Sequence, residues 1–246
     1  NKKTIHCNEN GYFSIHKTDR YGFNNPDLVW EKNKIEFLLI GDSFTHGACV
    51  NRQDTISGNL KKIIRNDEVL NLGHGLNGPL TEYATIREYL PLKKTKRVVW
   101  IYAETNDLND LKNELKDKTL LNYINDNAFT QKLYTKQNEI DDKLEKAFNK
   151  TLQDELTRTS RGKIISFLRL YKLRNFINIQ FDKPANIKIS NKILENFSKI
   201  IYLSKDLSNI HGAKFYFVYL PDYFRYKYKT YQNSKFKKYG DIIKIV

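Results

Sequence analysis

The chain has 246 residues, 40% of them apolar and 28% charged, with a formal net charge of +14. That is enough to bury the core of one large domain or two small ones, and the apolar and aromatic content excludes a disordered chain. No stretch approaches the roughly 18 consecutive apolar residues that a membrane helix needs, and no charged-then-apolar leader opens the sequence.

The first thirty residues read as an arm, with Tyr21-Gly22-Phe23-Asn24-Asn25-Pro26 supplying turn chemistry. Three apolar runs then read as buried parallel strands: Ile35–Gly41, Arg97–Glu104 and Lys214–Pro221. A shorter run, Glu68–Gly73, makes a fourth. Helical patterns lie between them at Thr55–Arg65 and Pro79–Leu90, where Pro79 suits a first helical turn. Strands alternating with helices predict right-handed βαβ units and a doubly wound, mostly parallel sheet.

Residues 108–190 hold no good strand. Their helical patterns include Lys136–Leu156 and Lys163–Ile179, separated by a break at Ser160-Arg161-Gly162. The stretch reads as a helical insertion leading into a helix at about 188–207, and serves either as a solvated crossover or as a cap over a site. No internal repeat or low-complexity segment is visible.

The positive charge is uneven, with 11 basic and 4 acidic side chains in 191–246. Within it, Tyr223–Tyr239 interleaves six basic with seven aromatic residues and has no acid. Such a segment suits stacked bases on a nucleic acid backbone, an anionic glycan or lipid surface, or plain solvation inflated by AT-rich codon usage. The two cysteines, Cys7 and Cys49, make no metal site by themselves. They read either as buried thiols or as one disulfide tying the arm to the loop after the first core strand. The chain opens at Asn1 and contains no Met, so we expect a processed or excerpted chain, and a signal or membrane anchor upstream stays open.

Ligands of open α/β sheets bind beyond the carboxyl ends of the strands, so the residues following each strand carry the chemistry. These are Gly41-Asp42-Ser43, then Asn71-Leu72-Gly73, then Glu104-Thr105-Asn106-Asp107. Three such tips in this order resemble the SGNH, or GDSL, hydrolase superfamily, although Glu104 stands where its third block has glycine. The resemblance runs from about Phe37 to Leu108, and more loosely to Pro221. It implies a single three-layer αβα, flavodoxin-like domain over 1–246, and a serine esterase or O-acyltransferase. Ser43 would be the nucleophile, with Gly73 and Asn106 as oxyanion donors and an acyl ester, such as a carbohydrate O-acetyl group, as substrate. Several related proteins sit outside the cytoplasm, which would suit a Cys7–Cys49 bridge. The family's Asp-x-x-His block, which supplies its base, is not seen after Pro221. The histidines are His6, His16, His46, His74 and His211, and none has Asp three residues before it.

Two alternatives stand beside this reading. Gly73-x-Gly75-x-x-Gly78 follows a strand and precedes a helix, as in dinucleotide-binding turns, with Glu104 placed to meet a ribose. Against it, the helix starts at Pro79, after all three glycines. The other alternative is a binding module that keeps the fold but has no catalytic base. No cofactor or metal is expected, since no ligand cluster has metal spacing, and nucleic acid is not favoured as a partner.

Overall fold

The computed structural model describes residues 3–5, 11–168, 190–222 and Tyr226. Two short strands, β1 (Lys3–Ile5) and β2 (Ile15–Lys17), pair antiparallel. Four longer runs, β3 (Lys34–Gly41), β4 (Val69–Asn71), β5 (Lys94–Ala103) and β6 (Lys214–Leu220), form one parallel sheet in the order β4-β3-β5-β6. These are the four predicted strands, with ends shifted by a few residues. The register sets Leu39 opposite both Asn71 and Val99, Gly41 opposite Ile101, and Ala103 opposite Leu220. The carboxyl ends of the strands therefore share one edge. β3 and β5 become more buried toward that edge, whereas β6 alternates between exposed and half-buried residues, as suits an outermost strand.

Seven α-helices lie among the described residues: α1 (Ser43–His46), α2 (Ile56–Ile64), α3 (Pro79–Tyr89), α4 (Asp107–Glu114), α5 (Lys118–Asn125), α6 (Gln137–Leu168) and α7 (Asn191–Ile210). None of them is long and apolar enough to cross a membrane. The chain forms two compact units, one of residues 1–134 with 188–246 and the other of residues 135–187.

In the first unit α3 is the central helix, packing on β3 and against α4, α5 and α7. Leu80 and Ile86 of α3 join Leu38, Ile40, Trp100 and Phe197 in the fully buried core. Its start is set by Pro79 and by the Glu114 carboxylate, which accepts the amides of Gly78 at 2.8 Å, Leu80 at 2.9 Å and Thr81 at 3.3 Å. Those first-turn N–H groups have no acceptor inside the helix, and a carboxylate is the natural complement of the helix's positive end. At the other end, Arg87 donates to the carbonyls of Tyr123, Asp126, Asn127 and Phe129. Beside it the buried Glu88 accepts from the Tyr123 hydroxyl, Thr130, and the amides of Gln131 and Leu133. One dipeptide of α3 thus shapes the whole 123–133 connection.

The insertion expected over 108–190 accordingly begins later in the structure. Residues 108–134 belong to the sheet-bearing unit, because Leu108, Leu111, Tyr123 and Ile124 bury the one apolar side of α4 and α5. The second unit contains α6, which runs without interruption through Ser160-Arg161-Gly162. The break predicted there does not form. A single glycine in a helix costs about 1 kcal/mol relative to alanine, too little to stop a helix that is already propagating. Leu144 and Phe148 of α6 are 61% and 66% exposed.

The N-terminal arm is also more than an arm. Asp19 is fully buried, and its carboxylate accepts the amides of Tyr21 and Phe23, the Asn25 side chain and the Trp30 indole N–H. The turn at 19–26 is therefore fastened to the sheet-bearing unit. The Tyr223–Tyr239 segment, apart from Tyr226, and His6 and Cys7 lie outside the described residues.

Burial opposes ionisation of Glu88, but its four donors outweigh that and hold its carboxyl below the usual range. Its contribution is present above the ordinary carboxylate pKa of about 4.3 and is lost as pH falls through the depressed folded value. Glu88→Ala is expected to lower the unfolding free energy at pH 7 by about 2–3 kcal/mol, measured by urea titration. The difference from wild type should shrink on acidification below about pH 4.

Candidate functional site

Ser43 is the first residue of α1, reached from β3 through Gly41 and Asp42. Gly41 sits at φ 156°, and a Cβ there would stand 2.1 Å from Thr45 Oγ1 and 2.7 Å from the Ile101 carbonyl. Only glycine allows the strand to turn this sharply against β5. Asp42, fully buried, caps the new helix by accepting the Phe44 amide at 2.9 Å. The helix then ends after one turn at the left-handed Gly47. Ser43 is left half-buried between the strand tips, and its amide is one of the first-turn N–H groups that have no acceptor within a helix.

At the tip of β4 the buried Asn71 side chain makes several connections. Its Nδ2 donates to the Thr45 carbonyl at 2.7 Å and lies 3.4 Å from Ser57 Oγ, while its Oδ1 accepts the Gly73 amide at 2.9 Å. Asn25 clamps its backbone from the other side: Asn25 Nδ2 donates to the Asn71 carbonyl at 2.8 Å, and Asn25 Oδ1 accepts the Asn71 amide at 2.9 Å. Gly73 lies so close to α1 that a Cβ would meet His46 N and Thr45 Cβ at 2.6 Å, whereas at Gly75 a Cβ would meet only Ser43 Cβ, at 3.8 Å. The glycine loop thus passes directly over Ser43. The Gly73 amide, expected as an oxyanion donor, is already engaged by Asn71 in this geometry, since one N–H makes one good hydrogen bond.

At the tip of β5, Asn106 is half-buried and precedes α4. Its Nδ2 donates to Asp110 Oδ2 at 2.9 Å and its Oδ1 accepts from Thr105 Oγ1 at 2.8 Å. β3 and β5 are neighbours, with Gly41 opposite Ile101, so the first and third tips stand side by side, and the Asn106 and Ser43 side chains both act to lower the Asp42 carboxyl. Glu104, which departs from the motif, accepts the Asp222 amide at 2.8 Å and donates its own amide to the Leu220 carbonyl.

Beneath these tips lie three buried carboxyls. Burial first, then the neighbouring carboxyls Asp107, Asp42 and Glu114, push Glu82 well above the usual range. Asp107 is raised by burial and then by Asp42, although its Oδ2 accepts the Ala103 amide at 2.7 Å. Burial also raises Asp42, against the Phe44 amide and the Asn106 and Ser43 side chains. Three imidazoles line the other flank. His46 meets His16 edge-on at a centroid distance of 5.6 Å and stacks on His74 at 5.4 Å. Among the described residues, no group of three or more His, Cys, Asp or Glu side chains is arranged to hold a metal ion. Cys49 is disulfide-bonded, and Cys7 is the only other cysteine of the chain.

The dinucleotide alternative meets a direct obstacle. α3 begins at Pro79, and the amides a phosphate would use there are taken by Glu114. The carboxylate of Glu104 is likewise engaged, by Asp222. Residues that the sequence reading passed over include Asn24, whose Nδ2 donates to the His46 carbonyl, and Arg52, whose Nε donates to Asn24 Oδ1. The Asn24-Asn25-Pro26 cluster was legible only as turn chemistry, and nothing local shows that its amides reach β4 and α1. Comparison with protein-family models, with curated proteins and with solved structures finds no match.

The two loop glycines should respond differently to substitution. Gly73→Ala is expected to destabilise the fold by about 1–3 kcal/mol through overpacking against α1, whereas Gly75→Ala should stay within about 0.5 kcal/mol. Thermal and urea unfolding of both variants measure the contrast.

Proposed function

We propose that the chain is a serine esterase or O-acyltransferase of the SGNH type, built on a three-layer αβα, flavodoxin-like domain. The observation that carries the reading is the meeting of Ser43, the Gly73–Gly75 loop and Asn106 at one edge of a parallel sheet. Ser43 Oγ attacks the ester carbonyl carbon and gives up its proton, the alcohol leaves with a proton, and an acyl-enzyme forms on Ser43. Water or a sugar hydroxyl then takes the acyl group.

The tetrahedral oxyanion needs donors placed in advance. The Ser43 amide and the second N–H of Asn106 Nδ2 serve directly, and the Gly73 amide joins them by exchanging Asn71 Oδ1 for the oxyanion. The candidates to accept the Ser43 proton are His46, three positions further along α1, and His74, whose ring stacks on that of His46. His74 Nδ1 is 2.8 Å from the Gly75 carbonyl. A carbonyl only accepts, so Nδ1 is the donor of that pair, and in the neutral ring Nε2 would be the acceptor. The disulfide at Cys49 suits an oxidising, extracytoplasmic setting.

A second reading, a binding module with no acyl chemistry, draws on the engagement of the Gly73 amide by Asn71. Labelling separates the two. A fluorophosphonate should react covalently with Ser43, and Ser43→Ala should abolish the adduct. Asn106→Ala should slow ester turnover by about 10²–10³-fold. A folded chain that takes no label at Ser43 would leave the binding module as the better reading.

A further inference from the structure

We propose that Glu82 shares a proton with Asp42 and Asp107, and that this buried proton locks the turn bearing Ser43 to the turn bearing Asn106. Asp42 closes β3 just before Ser43, Asp107 opens α4 just after Asn106, and Glu82 stands in the first turn of α3, the helix that packs against both α4 and β3. The three residues Asp42, Asp107 and Glu82 are 0%, 0% and 1% exposed, in that order. Two of their six carboxyl oxygens accept backbone amides, from Phe44 and Ala103. The other four, Asp42 Oδ2, Asp107 Oδ1 and both oxygens of Glu82, meet no donor at bonding geometry. On β5 the fully buried Trp100 Nε1 likewise has no partner at bonding geometry, and it is the donor side chain that acts to lower Glu82.

Ionised carboxylates only accept. Three of them here would place three like charges in apolar surroundings and leave four acceptors empty, each a costly arrangement. Bound protons relieve both problems, because each O–H supplies a donor to a neighbouring carboxyl and removes one charge. The strongest charged influences on Glu82 and Asp107 are all carboxyls. Asp42 acts from the β3–α1 turn, and Asp107, Asp110 and Glu114 act from α4. Glu114 already accepts three amides at the start of α3, and Asp110 accepts the Asn106 side chain on one oxygen. No cation of α5 or α7, the other helices packed on α3, ranks among these influences. Among the described residues none of these five carboxyls is ion-paired. The inference does not depend on acyl transfer at Ser43.

Burial raises all three carboxyls in the folded state, and neighbouring carboxyls raise Glu82 and Asp107 further, so the folded chain keeps a proton that the unfolded chain releases. The stabilisation is full below the ordinary carboxylate range and falls as pH rises toward the folded values. Glutamine mimics the protonated acid and cannot ionise. Urea unfolding of wild type and Glu82→Gln between about pH 5 and pH 8 should show the ratio of their unfolding constants growing about tenfold per pH unit. Parallel pH profiles overturn the proposal.

Infrared spectra of the wild-type chain at neutral pH keep the test open if the variant does not fold. A protonated-carboxyl stretch that shifts on ¹³C-glutamate labelling is expected, and a folded chain with every carboxyl ionised refutes the idea. Amide exchange, corrected for its intrinsic pH dependence, reports the lock itself. Segments 41–46 and 103–108 should loosen together on the alkaline side in wild type and not in Glu82→Gln, and independent loosening of the two overturns the lock.

Discussion

The buried side chain of Asn71 is the constraint on which the strand-tip edge depends. A primary amide has two donors and an acceptor, and in a dry interior each must find a partner or cost free energy. Here they reach α1, α2 and the loop that follows β4. Asn25 completes the arrangement by pairing with the Asn71 backbone as a strand neighbour would. Four segments distant in sequence are thereby held in one register, and α1, which carries Ser43, is fixed within it.

The second constraint is the polar content of α3. A helix buried on most sides normally carries apolar residues throughout, yet this one buries Glu82 and Glu88. Glu88 is satisfied by four donors, so it stays ionised and organises the chain around it. Glu82 has no such donors and faces other carboxyls, so it responds in the opposite direction. Two glutamates six positions apart on one helix are thus pushed in opposite directions by what surrounds them.

The same placement bears on the chemistry open to the site. Donors that already serve the fold are preorganised but occupied, as the Gly73 amide is. Donors at the start of a short helix are preorganised and open, as the Ser43 amide is. An oxyanion pocket built from both kinds would exchange an internal hydrogen bond for a substrate one, which moderates ground-state binding while keeping the geometry needed for charge development.

Much of this molecule was legible in its sequence. Near-continuous apolar runs identify the four strands, because both faces of a parallel sheet are covered, and Pro79 marks the start of α3. Gly41-Asp42-Ser43, Asn71-x-Gly73 and Asn106-Asp107 fall at strand tips as their order predicts. Other features escaped the sequence because they are made by contacts far along the chain. The Asn25–Asn71 clamp spans 46 positions and the Glu114 cap on α3 spans 36. The apolar sides of α4 and α5, too short to signal burial, join the core only once α3 is in place. The continuity of α6 through Gly162 turned on propagation rather than on local propensity. Sequence determined which segments are strands and which polar side chains stand at their tips. Tertiary structure decided which of those groups remain available and in which direction each buried carboxyl is pushed, because hydrogen-bond occupancy and desolvation depend on neighbours that local sequence does not name.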